Sequence, residues 1–178
     1  MIAHSAPRLL VADDDPSVRA AYRLVLEKAA DSQIVQNLFG LNQLEAELFG
    51  AQQAVTPQWR VTFVEQGMDA VNAVKWALDD GDSYDAIFLD VRMPPGIDGL
   101  ETARRIRLLD PKIFIIVVTG YSDYSLDDFS RAAGPPELLT MVEKPLWPEQ
   151  LRKISHILRG ERSHRTKLSP FLSATVVE

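Results

Sequence analysis

Five short runs of aliphatic and β-branched residues recur along the chain: "RLLVA" from Arg8, "RVTFVE" from Arg60, "DAIFLD" from Asp85, "KIFIIVVT" from Lys112 and "LLTMVEK" from Leu138. They are apolar without strict alternation, which marks strands covered on both faces rather than strands with one wet side. Between them the apolar positions shift to helical spacing. Val18, Tyr22, Val25 and Ala29 form one stripe, Val71, Val74 and Leu78 a second, and Leu100, Ala103 and Ile106 a third. Asp123 to Ala133 predicts a weaker fourth connecting helix, closed by the "GPP" of Gly134 to Pro136, and Leu151, Ile154 and Leu158 predict a last helix. Strand and helix alternating five times predict a doubly wound α/β sandwich on a parallel sheet.

One interval breaks this plan. Two βαβ units sharing a middle strand need roughly 55 residues. The acidic cluster after the first strand and the aspartate ending the third are 90 − 14 = 76 positions apart. The excess falls at about residues 31–57, between the first helix and the second strand. There Leu38, Leu41, Leu44 and Leu48 of "NLFGLNQLEAELFG" would share one face of an additional short helix, packed on the domain's flank. The expected layout is one domain over residues 1–160 with this insertion. Residues 161–178, "ERSHRTKLSPFLSATVVE", read as a C-terminal extension or linker.

Composition narrows the function. The 178 residues are 46% hydrophobic and 25% charged, enough for one full core, and a formal net charge of −6 argues against a broad nucleic-acid-binding face. No cysteine is present, so disulfide frameworks, thiolate metal sites and cysteine nucleophiles are excluded. The longest apolar run, Ile113 to Val118, is far below the ~18 residues of a membrane span, and "MIAHSAP" lacks the regions of a signal peptide. A cytoplasmic location is expected, with no membrane partner.

In open α/β sheets, ligands sit in the crevice outside the carboxyl ends of the strands. There the sequence puts Asp13, Asp14 and Asp15 after the first strand, Asp90 on the third, Thr119 and Gly120 on the fourth, and Lys144 before Pro145 on the fifth. Three carboxylates around one crevice resist ionisation unless a cation neutralises them. With only oxygen donors at hand, Mg²⁺ is expected, with Mn²⁺ second and zinc disfavoured. Magnesium keeps waters and leaves a position for a phosphate oxygen; the lysine and the hydroxyl would take the remaining oxygens. Asp90 would then be the nucleophile, holding an acyl phosphate. Each piece also has an ordinary reading: "DDD" before Pro16 and Ser17 is a normal helix start, and Asp90, Thr119 and "KP" could each simply end a strand. It is their coincidence at successive strand ends that points to chemistry.

The stretches "LLVADDDPSVR", "AIFLDVRMPPGIDGLE", "IIVVTGYSD" and "VEKPL" resemble the receiver domain of two-component response regulators, over residues 8 to 158 apart from the insertion. The resemblance implies a flavodoxin-like five-stranded parallel sheet of order 2-1-3-4-5. It also implies a signalling switch, not a turnover enzyme, which takes its phosphoryl group from a phosphohistidine on a sensor histidine kinase or histidine phosphotransfer protein. Carried over, it makes Asp90 the phosphoacceptor, Asp14 a direct Mg²⁺ ligand, Asp13 a ligand through water, and the backbone carbonyl of Arg92 a further ligand. Thr119 and Lys144 would bind the phosphoryl oxygens, and the bond from Lys144 to Pro145 would be cis. Output would pass to a downstream protein, an attached output domain or a homodimer.

The chain departs from the family pattern in three places. "MPPGIDG" carries an extra proline after the acceptor. Met141 stands where relatives commonly have a switch tyrosine or phenylalanine, which implies a blunter response on that face. The insertion lengthens a flank that helps dock the kinase in relatives. Arg92 and Tyr121 would flank the path of the hydrolytic water, and as large side chains they would slow dephosphorylation. The rival readings are a Mg²⁺-dependent phosphohydrolase of the haloacid-dehalogenase type and an interaction module that never uses the phosphate. The hydrolase needs an aspartate two positions after its nucleophile, where this chain has Arg92.

Overall fold

Continuous apolar runs become buried parallel strands because helices cover both faces of the sheet. The computed structural model describes residues 7–27, 59–120, 124–147, 149–151, 153–154 and 158. The expected insertion at 31–57 and the tail at 161–178 lie outside the described residues, as does Tyr121. In chain order the elements are β1 (Arg8–Ala12), α1 (Pro16–Glu27), β2 (Arg60–Val64), α2 (Gly67–Asp79), β3 (Ala86–Asp90), α3 (Gly99–Leu109), β4 (Phe114–Thr119), α4 (Leu126–Ala133), a 3₁₀ turn (Pro136–Leu138) and β5 (Leu139–Glu143). Residues 149–151, 153–154 and 158 are again helical. The strands pair in parallel in the order β2-β1-β3-β4-β5, the order that the sequence resemblance implied.

Alternate residues of each strand feed opposite halves of the core. Leu10, Ile87, Leu89, Ile115 and Val117 pack with Ala70, Val74, Ala103, Ile106 and Phe129 from α2, α3 and α4. Leu9, Val11, Phe88, Ile116 and Val118 face the other way, against Tyr22 and Val25 of α1 and against Leu151 and Ile154. Apart from Ala29, which lies outside the described residues, the helical stripes read from the sequence for α1, α2 and α3 are therefore the faces laid on the sheet.

Several boundaries differ from the sequence expectation by one to three residues, β3 beginning at Ala86 and β4 at Phe114 among them, and two of the shifts have a clear local reason. α4 begins at Leu126 rather than Asp123, because Ser125 and Asp128 form a capping box: Asp128 Oδ2 accepts from Ser125 N at 2.8 Å and Ser125 Oγ from Asp128 N at 3.3 Å. β5 begins at Leu139, since Leu138 is drawn into the 3₁₀ turn by its N–H to Pro135 O, 3.0 Å.

Arg107, near the end of α3, ties three segments together. It donates to Ile113 O (2.8 Å) before β4, to Ala133 O (2.9 Å) at the end of α4 and to Leu138 O (3.2 Å) before β5. Hydrogen bonds from a charged donor contribute more than neutral ones, and part-buried carbonyls stripped of their donor lose much of that. Arg107→Met, which keeps the apolar stem, is expected to lower stability by about 2–3 kcal/mol in urea denaturation. A loss below about 0.5 kcal/mol would show that water replaces the guanidinium at no cost.

Candidate functional site

The parallel register sets the strand ends level. Ala12 pairs with Leu89, so Asp13 follows β1 beside Asp90, while Thr119 pairs with Glu143 just before Lys144. Asp13, Asp90 and Thr119 are buried, and Asp14 is half-buried. One carboxylate oxygen from each of Asp13, Asp14 and Asp90 lies within 4.8 Å of the others, a spacing that a single divalent ion can bridge.

Lys144 enters this cup from β5. Its ammonium donates to Asp13 Oδ2 at 2.8 Å and pairs with Asp90 Oδ2 at 3.0 Å, although Asp13 and Lys144 are 131 residues apart. Burial pushes the Asp13 carboxyl above its ordinary value; Lys144 and the Asp15 amide pull it down without cancelling that, and the Asp90 charge adds to the rise. For Lys144 burial acts to lower the pKa, but the two carboxylates outweigh it and hold the ammonium above its usual range. The lysine thus partly neutralises the cup and remains a fixed cation beside Asp90. Asp90 Oδ1 accepts the Val91 amide at 2.8 Å, which fixes the carboxylate plane. Thr119 Oγ1 is buried with no hydrogen-bond partner among the described residues, a polar atom that an incoming oxygen would satisfy.

The three neighbouring aspartates divide their work. Asp15 is exposed and accepts Ser17 N at 2.7 Å, and that amide holds its carboxyl below the usual range; it caps α1. Asp13 and Asp14 face the cup. Arg92 is exposed on the loop after Asp90, Met141 is partly buried against the half of the core that packs α4, and the Lys144–Pro145 peptide is cis.

Two further residues support the site without any signal in the sequence. Arg19, one turn into α1, donates to the carbonyls of Asp13 (2.7 Å) and Asp14 (2.9 Å), holding the acidic loop. Gln66 reaches from the β2–α2 junction to the loop after Asp90. An arginine in an amphipathic helix and a glutamine in a turn look like any solvated side chain until their partners are placed.

A family model described as the response regulator receiver domain matches residues 46–156, a stretch that begins after β1 and its acidic cluster. An uncharacterized response regulatory protein of Vibrio cholerae is 36% identical over 138 residues, which cover 75% of this chain and 46% of that protein. Sporulation initiation phosphotransferase F of Bacillus subtilis is 27% identical over 119 residues, 67% of this chain and 85% of its own. The chain spans about half the length of the first curated relatives it matches. Among solved structures, a CheY-like response regulator receiver domain protein of Methanospirillum hungatei gives a TM-score of 0.58 at 20% identity, covering 89% of this chain and 98% of the other; that likeness is one of fold.

Proposed function

Because the chain belongs to the response regulator receiver domain family, we propose that Asp90 accepts a phosphoryl group and that the phosphorylated domain is the signalling state. Receiver domains take that group from sensor histidine kinases or phosphotransfer proteins; which one serves this chain follows from docking contacts outside the cup. The observation that carries the reading is the convergence of Asp13, Asp14 and Asp90 within 4.8 Å of one another, with the Lys144 ammonium 3.0 Å from the proposed nucleophile.

The donor set fits Mg²⁺, with oxygen ligands only and a third carboxylate whose charge needs balancing. Asp13, Asp14 and Asp90 would hold the ion, with the Arg92 carbonyl as the further ligand; when bound it screens the charge between phosphoryl group and carboxylate. An Asp90 carboxylate oxygen forms the new bond to phosphorus as the bond from phosphorus to the donor's nitrogen breaks, and no proton has to move on the acceptor side. Lys144 pairs with one phosphoryl oxygen and the Thr119 hydroxyl, which has no partner among the described residues, with another. Drawing Thr119 toward the phosphate biases the β4–α4 side between two arrangements, one of which a partner reads. The hydrolase reading gains no support, since Arg92 is exposed on the loop where that chemistry would place a general acid. No helix of the described residues is long and apolar enough to cross a membrane.

Incubation with acetyl phosphate and Mg²⁺ is expected to add one phosphoryl group to the intact protein by mass spectrometry, and none when EDTA removes the metal. Failure to add mass in Mg²⁺, or equal addition in EDTA, would reject the proposal.

A further inference from the structure

We propose that Gln66 is a positioning residue for the metal site, a two-point clamp on the loop that follows Asp90; this rests on the reading above, in which that loop supplies the Arg92 carbonyl. Gln66 occupies the N-cap position of α2 in an extended conformation, yet its side chain makes no cap hydrogen bond to its own helix. It reaches across instead. Nε2 donates to Pro94 O at 3.0 Å and Oε1 accepts Gly96 N at 3.1 Å, so one amide grips both sides of Pro95.

The loop needs such a grip. Pro94 and Pro95 have no N–H to contribute, and the extra proline leaves the segment short of donors for holding its own shape. Its far end is fixed by Gly99 N to Val91 O (2.8 Å) and by the Asp98 carboxylate, which accepts Glu101 N at 2.9 Å as the cap of α3. Its near end is fixed by Asp90 in the sheet and by Met93, 1% exposed. Between these points the backbone has one internal bond, Gly96 N to Met93 O at 3.2 Å, on the same N–H that Gln66 takes. The Gln66 amide therefore supplies the outside restraint on Pro94 and Gly96, the stretch just after Arg92 and Met93, while Ile97 packs on the core and Asp98 accepts the Tyr124 hydroxyl at 2.9 Å further along. Gly96 leaves room for it: a Cβ there would stand 2.6 Å from Gln66 Oε1, with no other atom nearer than 3.7 Å.

Outer-shell partners that orient ligands typically contribute ten- to a hundredfold to metal affinity. Gln66→Ala is expected to weaken Mg²⁺ binding about tenfold, at the low end because both hydrogen bonds are exposed, when Mg²⁺ alone is titrated into ¹⁵N-labelled protein. Gly96→Ala approaches the clamp from the other side, expelling the flexible amide while leaving backbone neighbours in place, and is expected to weaken binding likewise. The double variant is expected to bind no more weakly than Gln66→Ala alone, because both changes break one device. A merely structural role would lower the melting temperature in EDTA and leave the Mg²⁺ affinity in place. Binding by Gln66→Ala within about twofold of wild type, or losses that multiply in the double variant, overturns the clamp. A wild type that binds no Mg²⁺ overturns the functional reading and the clamp with it, so the two failures are told apart by the wild-type titration.

Discussion

Asp90→Asn is expected to abolish phosphorylation by acetyl phosphate and Mg²⁺ while the protein stays folded. The substitution replaces a carboxylate oxygen by an amide nitrogen whose lone pair is delocalised into the carbonyl, so the position keeps its shape and loses its nucleophile. The fold tolerates the change for two opposing reasons. Asn retains an oxygen for the Val91 amide, now at 2.8 Å, and Lys144 keeps its bond to Asp13 Oδ2 at 2.8 Å. The ion pair from Lys144 to Asp90 is lost, but so is the repulsion among three carboxylates held within 4.8 Å. The net change in stability is expected to stay within about 1 kcal/mol, a shift of a few degrees in Tm. Intact-mass spectrometry of both proteins after identical incubation reads the result. Equal labelling of wild type and variant would place the acceptor elsewhere, and a variant that fails to fold would show that the third carboxylate is needed for the fold itself.

Gly99→Ala is expected to carry the largest stability loss near the site, about 2–4 kcal/mol, combining overpacking with a broken backbone bond. Gly99 opens α3 where the helix meets the end of β3. A Cβ there would stand 2.5 Å from the Asp90 carbonyl oxygen and 2.7 Å from Val91 Cα. Both are backbone atoms of the strand end and cannot rotate away, so α3 must retreat and the 2.8 Å bond from Gly99 N to Val91 O must stretch. The retreat pulls on the loop between Asp90 and α3, which is closed by that bond, and makes slower phosphorylation at saturating Mg²⁺ the second expected consequence. Urea denaturation and the time course of acetyl phosphate labelling measure the two effects. A stability change under about 1 kcal/mol would mean that the helix start gives way freely.

Gly99 also marks the line between what could be read from the residues and what could not. Its neighbours Asp90 and the apolar run before it announce a buried strand ending in a carboxylate, because a strand covered on both faces must be apolar throughout and an acid at its end is conspicuous. The same logic made β1 and β4 and the stripes of α1, α2 and α3 legible, while the edge strands β2 and β5, only partly buried, were marked by their β-branched and aliphatic residues. Strand order came from the family resemblance and not from periodicity, which is silent on which strands are neighbours.

Where the signal was local but short, the sequence was off by a few residues. The capping box at Ser125 and Asp128 starts α4 later than the apolar spacing suggested, and the 3₁₀ turn takes Leu138 from β5. Where the partner is distant and the side chain flexible, there was nothing to read. The sequence by itself determined the α/β class, the elements and the group of acids, hydroxyl and lysine at the strand ends. Only the tertiary structure decided that Lys144 meets Asp13 across 131 residues, that Arg19 holds the acidic loop, that Arg107 joins three segments and that Gln66 grips the loop past Asp90. Most of these contacts are set by where parallel strands end in space, and a single polar side chain leaves no period in the chain, whether its partners are remote or, as for Arg19, five and six residues away.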